Sequence, residues 1–393
     1  MTDSNALMAT YAPPDILFER GEGSWLITRE GDRYLDFISG IAVTAFGHEH
    51  PHLVAALKEQ TDKYWHSSNM FRVEGAEKLA RRLTDNSFAD RVFFCNSGAE
   101  AVEAGLKMMR RYHYDRGQPH RSRIIGMHNA FHGRTIATIA AAGNPAHTKG
   151  FFEGDMGFDH VPFGDIDALQ EAVTDKTAGI ILEPIQGEGG IMPAPDGYLK
   201  AVRDLCSQTG TLFMVDEIQC GMGRTGKLFA HEWDQIKPDI LASAKGLGGG
   251  FPIGACLATE QVSACMIVGT HGSTFGGNPL ATNVGNAVLD LVLAEGFLET
   301  VYERGQYLKG ALEALVTRHP DKLAGVRGRG LMLGLQTHIS NTRLLDCLRE
   351  AGLLTGRAGS DILRLLPPLN VSTAEIDQAL TLMDTVLTDW QSG

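Results

Sequence analysis

Residues 240–251 read ILASAKGLGGGF, an apolar run that stops on Lys245 and is followed by four glycines within five residues. A run this short, apolar on consecutive positions, suits a strand buried on both faces, the environment of a parallel sheet covered by helices. The pattern recurs: VFFC precedes Asn96-Ser97-Gly98, IIGM precedes His128, GIIL precedes Glu183 and LFMV precedes Asp216. Between these runs, residues 99–115 (AEAVEAGLKMMRRYHYD) and 197–209 (GYLKAVRDLCSQT) place apolar side chains at helical spacing. The alternation predicts an α/β fold built on a parallel sheet. Ligands of such sheets gather beyond the carboxyl ends of the strands, so the five polar clusters predict one pocket drawn from residues 96–245.

The flanks differ. Residues 15–38 resemble hairpin strands, with Glu30-Gly31-Asp32 as a turn, and residues 296–393 alternate helices with short strands such as GLMLGL and ILRLLPP. They are assigned to a smaller α+β domain formed by residues 1–60 and 291–393, leaving 61–290 as the large domain. A chain of 393 residues exceeds what one core usually covers, which also favours two domains. The net charge of −12, with no compensating Lys/Arg block, argues against nucleic acid and anionic membranes and for small-molecule partners. Six scattered cysteines without any C-x-x-C suggest reduced thiols, not a zinc site or disulfide framework. The start, MTDSNALMATYAPP, lacks a basic-then-apolar segment, and no run nears membrane-spanning length, so a cytoplasmic location is expected.

Several clusters carry chemistry. Lys245 precedes its glycines, whereas a P-loop lysine follows them; the glycines would let backbone approach something bulky held by the lysine, such as a flat aldehyde cofactor. Asp216, after four apolar residues, needs a partner: either a salt bridge or a protonated pyridine nitrogen. Gln219 could donate to a ring oxygen. Ser97 and Glu100 fit a capping box, and with Gly98 they suggest a phosphate site at a helix start. AFHGRT (130–135) sets Phe131 near Arg134, a flat face beside a carboxylate-binding guanidinium. GHEHPH (47–52) matches no standard zinc spacing, and Pro51 suggests a helix start, so no metal is expected.

Taken together, NSGAE, AFHGRT, EPIQGEGG, VDEIQCGMGRTG, Lys245 with its glycines, and HGSTFGGNP resemble the class III aminotransferases that depend on pyridoxal phosphate. The resemblance spans essentially the whole chain. It implies a fold type I transferase with Lys245 as the Schiff-base lysine. Ser97, Gly98 and Ala99 would form the phosphate turn, Phe131 the ring-stacking aromatic, Asp216 the partner of the ring nitrogen and Gln219 that of the ring oxygen. Thr274 would reach the phosphate from the neighbouring protomer, making a homodimer with shared sites. Arg134 would hold a substrate carboxylate, Ser273 and Ile41 would border the substrate, and Glu188 and Arg364 would pair and separate as substrates alternate. Two departures, Val102 and His132, are expected to leave the core chemistry untouched.

The implied activity is transfer of an ω-amino group to 2-oxoglutarate, which becomes glutamate. Ornithine-specific relatives carry tyrosine where this chain has Ile41. That difference points to N2-acetylornithine as donor, as in arginine biosynthesis, with N-succinyl-diaminopimelate or succinylornithine as alternatives and ornithine or 4-aminobutyrate as rivals. A non-catalytic, cofactor-binding sensor would require loss of a catalytic group, and Lys245, Asp216 and Arg134 are all present.

Overall fold

The computed structural model describes residues 6–391. Its centre is a seven-stranded sheet in the spatial order Arg91–Cys95, Gly254–Ala258, Ile240–Ser243, Leu212–Asp216, Thr177–Leu182, Arg123–Met127 and Phe158–Val161. Neighbouring pairs from Ile240–Ser243 to Phe158–Val161 are parallel. The α/β class read from the sequence is therefore correct.

The sheet departs from the expected pattern in two places. Gly254–Ala258 runs antiparallel to both neighbours, so Arg91–Cys95 still points the same way as the rest. Arg91–Cys95 is also only half-buried, because it lies at the sheet's edge.

The central strands are apolar on successive positions because each face is covered. Phe213 and Val215 join a cluster with Leu199 and Val202 of helix Tyr198–Thr209. Met214, between them, joins Leu106 and Met109 of helix Gly98–Asp115 on the other side. Gly105 permits this closeness, since a Cβ there would lie 2.5 Å from the Met214 sulfur.

Phe18–Glu22, Trp25–Thr28 and Arg33–Asp36 form an antiparallel meander that Leu353–Leu354 extends in parallel, so both ends of the chain share a sheet. A second antiparallel sheet, ordered Leu323–Arg329, Met332–Thr337, Ile362–Leu365 and Gly356–Ala358, is backed by helices Phe297–Arg318 and Asn341–Glu350. Helix Thr373–Thr388 packs on both helices and starts with a complete Ser372/Glu375 capping box.

Arg224 stitches these parts together. Its fully buried guanidinium donates to the carbonyls of Leu331 (3.2 Å) and Pro367, while its own carbonyl accepts from the Leu331 N–H. Burial holds its pKa down to about 9, for among the described residues no carboxylate pairs with it.

Candidate active site

Beyond the carboxyl ends of the central strands lies a cavity of about 300 Å³, within the range of small-molecule sites. Ser97, Gly98, Ala99, Phe131, His132, Glu183, Asp216, Gln219 and Lys245 all face it. The pocket expected from residues 96–245 thus forms.

Lys245 enters it from a tight turn that begins as strand Ile240–Ser243 ends, with φ +44°, a conformation unfavourable for a side chain other than glycine. Its ammonium makes no hydrogen bond or ion pair among the described residues. Burial, and then the Arg364 charge, hold its pKa down to about 8. An amine so placed loses its proton near neutrality and can act as a nucleophile.

The glycines after Lys245 serve another purpose than expected. A Cβ on Gly248 would sit 2.8 Å from Ile253 and one on Gly249 2.8 Å from Leu53, so they admit the chain's own core. Gly250 alone among the four borders the cavity.

Asp216 accepts from the Ile218 N–H through Oδ1 (3.1 Å) and from His132 Nδ1 through Oδ2 (2.8 Å). Asp216 is 3% exposed and the His132 side chain 0%. Burial pulls the imidazole's pKa down, but the hydrogen bond and charge of Asp216, then the charge of Glu183, outweigh it and the pKa is raised.

His132 was expected to lie outside the core chemistry. The structure corrects this, since it is the buried partner of the acid expected to face the ring nitrogen. Val102, the other departure, is wholly buried in a helix and fits the expectation. His128 itself contributes no side chain to the cavity, and Glu183 does; burial pushes the Glu183 carboxyl up to about 7.

At the helix start, Ser97 accepts from the Glu100 N–H (3.2 Å), the first arm of a capping box. The reciprocal arm is displaced by one residue: Glu100 accepts from the Asn96 N–H at 2.5 Å. This leaves the Gly98 and Ala99 N–H groups without partners among the described residues, at the positive end of an eighteen-residue helix. Ser273 accepts from Asn96 Nδ2 (3.1 Å) and the Gly276 N–H (2.9 Å), which holds its loop against the phosphate turn, and it lies outside this chain's own cavity. Thr274 is exposed and away from this chain's own cavity.

At the rim, Arg364 pairs with Glu188, as expected, and donates also to Gln219 Oε1 (3.3 Å). With its oxygen so occupied, Gln219 keeps its amide N–H groups as the donors for a ligand. Arg134 is exposed, with its guanidinium 5.5 Å from the Phe131 ring and no carboxylate partner among the described residues. Ile41 is 38% exposed and lies in a left-handed turn, φ +65°, two residues before the cavity-lining Val43.

A lysine and an acid share this cavity with a flat aromatic wall and a free helix N-terminus, while a cation stands beside it. Such a site can bind an anionic, planar aldehyde and present an amine to it. The family model "Aminotransferase class-III" matches residues 7–387, and the chain belongs to that family.

Its relatives narrow the comparison. It is 54% identical over 376 residues to an acetylornithine aminotransferase of Mesorhizobium japonicum, covering 96% of this chain and 94% of that one. With an acetylornithine aminotransferase of Brucella melitensis the identity is 53%, over 98% and 97% of the two chains. Among solved structures, an ornithine aminotransferase from Toxoplasma gondii superposes with a TM-score of 0.94 at 32% identity, covering 98% and 93%. An N-acetylornithine aminotransferase from Stenotrophomonas maltophilia gives 0.84 at 39%, covering 96% and 97%.

Enzymes of this class use pyridoxal phosphate, and the residues present fit it. Lys245 has no partner among the described residues, the Gly98 and Ala99 N–H groups are free, and a Cβ at Gly98 would press on Ile218 at 2.7 Å and crowd the phosphate turn.

Proposed function

We propose that this aminotransferase moves the δ-amino group of N2-acetylornithine to 2-oxoglutarate, giving N-acetylglutamate 5-semialdehyde and glutamate. The observation that carries the reading is the Glu188–Arg364 pair, which Gln219 links to the cavity holding Lys245 and Asp216. A rim cation that can be masked by its own carboxylate serves an amino donor in one half-reaction and a second carboxylate in the other. Pyridoxal phosphate, when bound, supplies an aldehyde that takes up the amino nitrogen and a ring that accepts electrons from the substrate carbon.

The chain's residues do the rest. Lys245 would hold the cofactor through Nζ and, when its amine is free, would carry a proton on that atom. Asp216 keeps a proton on the ring nitrogen, and His132 orients Asp216. Gln219 would donate to the ring oxygen, Phe131 would cover the ring, and Ser97 to Ala99 would hold the phosphate. Arg134, exposed and without a carboxylate partner among the described residues, takes the substrate's α-carboxylate.

Thr274 of a second copy completes the phosphate site, in a cytoplasmic homodimer whose protomers each divide into residues 61–290 and the paired segments 1–60 and 291–393. The exposure of Thr274 away from its own cavity supports this arrangement.

Ile41 decides the donor. A free α-ammonium beside isoleucine would lose water without gaining a hydrogen bond, at a cost on the order of a few kcal/mol, while an acylated nitrogen carries no charge. Comparison of kcat/KM for N2-acetylornithine and ornithine, with 2-oxoglutarate as acceptor, tests this. A preference for ornithine, or equal values, overturns it.

A further inference from the structure

Glu183 ends the strand Thr177–Leu182 and turns its carboxylate sideways, between two loops of the active site. Oε2 accepts from the Phe131 N–H at 3.0 Å and Oε1 from the Gly187 N–H at 3.0 Å. Phe131 belongs to the loop after the neighbouring strand, Arg123–Met127, and forms a wall of the cavity. Gly187 directly precedes Glu188, the partner of Arg364.

One buried carboxylate thus joins the aromatic wall to the rim switch. The same two loops meet again where Gln186 Nε2 donates to the His128 carbonyl at 2.9 Å, and the far side of the switch loop is fixed by Gly359 N–H donating to the Glu188 carbonyl at 3.0 Å.

A buried carboxylate is costly, and an apolar residue would fill this strand end more cheaply. The carboxylate is kept, at 5% exposure, where only an acceptor with two oxygens can satisfy two N–H groups from different loops. Of its other charged or titratable neighbours, His132, Asp216 and Lys245 line the same cavity, and Cys220 is buried in the apolar cluster beside Ile185 and Ile191.

We infer that Glu183 is a positioning residue that sets the Phe131 wall and the Glu188 switch loop in register with each other, so that cofactor seating and substrate alternation depend on one side chain. The inference rests on the aminotransferase reading above.

The test is Glu183→Gln, which keeps shape and volume. Its amide oxygen accepts one N–H, but its NH₂ then faces the other, leaving a buried donor unpaired. The holoenzyme variant should release pyridoxal phosphate with a dissociation constant raised about tenfold or more. It should also show altered visible circular dichroism of the bound cofactor, and its KM for 2-oxoglutarate should rise more than that for the amino donor. A packing role would leave all three at wild-type values, because glutamine fills the same space, and that result overturns the inference. If Glu183→Gln does not accumulate folded, Glu183→Asp takes its place; the charge stays, but the shorter side chain cannot span both N–H groups, and the same three changes are expected. Wild-type protein that binds no pyridoxal phosphate would instead defeat the class-level reading, so the two failures are distinct.

Discussion

Replacing His132 separates a hydrogen-bonding role from a space-filling one. Phenylalanine nearly conserves the ring's volume but removes the donor to Asp216, so Oδ2 of a carboxylate only 3% exposed loses its protein partner. Leaving a buried polar group unsatisfied costs about 1–3 kcal/mol, and more when it is charged. Asparagine does the reverse. Its Nδ2 occupies nearly the position of the imidazole Nδ1 and can still donate, while the missing ring atoms leave a small void. They also remove Nε2, which has no partner among the described residues.

His132→Phe should therefore shift the urea midpoint of the cofactor-free protein further down than His132→Asn. A second signature comes from protonation. The folded-state pKa of His132 is raised, so its contribution is fully present below the unfolded imidazole pKa and is lost as pH rises through the folded value. Wild type should show this decline and neither variant should. If phenylalanine proves as stable as asparagine or better, with the same pH profile in all three proteins, the hydrogen bond is not what His132 contributes.

Three further outcomes follow from the site. The Lys245 pKa is lowered from 10.5 to about 8, so the unfolded chain binds more protons between those values and stability of the cofactor-free protein should rise with pH across that window. Lys245→Met should be more stable than wild type at pH 7, by at most about 3 kcal/mol, with the advantage vanishing towards pH 10 in parallel urea titrations. Glu188→Ala leaves Arg364 with Gln219 as its side-chain partner, and half-reaction kinetics should show efficiency with glutamate gained relative to the amino donor; an unchanged ratio refutes the switch. Mixing Lys245→Ala with Thr274→Ala protomers should restore activity, because one site of the mixed dimer carries neither lesion, and no recovery at all would count against shared sites.

The strands of the sheet were legible because burial on both faces leaves an unbroken apolar run, and the polar residue that ends a run marks the cavity in every case but His128. Direction was not legible. GACLA, at 254–258, is as apolar as its parallel neighbours, and only its place between Arg91–Cys95 and Ile240–Ser243 makes it antiparallel. Lys245, Asp216 and the Ser97 turn could be read because each sits next to its strand in sequence. His132 could not, since its partner lies 84 residues away and a lone histidine in AFHGRT gives no sign of which nitrogen is engaged. The glycines after Lys245 were misread for a related reason: sequence marks a close approach without naming what approaches, and Leu53 comes from a helix far away in the chain.

The strand that ends at Asp216 is followed at once by Glu217, whose carboxylate is fully buried and accepts from the Ala230 N–H, the His231 N–H and His231 Nδ1 (2.7 Å). Two adjacent acids thus each meet a histidine, one beside the cavity and one away from it. The preceding LFMV would tolerate many apolar exchanges, and hydropathy alone would hardly notice if the strand slid by one position. The two imidazoles would notice, because a slide delivers the wrong carboxylate to each. The strand is therefore indexed by its polar end: point substitutions among its apolar residues should be forgiven, whereas a single-residue insertion or deletion between Leu212 and Val215 should be fatal to the enzyme even where the sheet still forms.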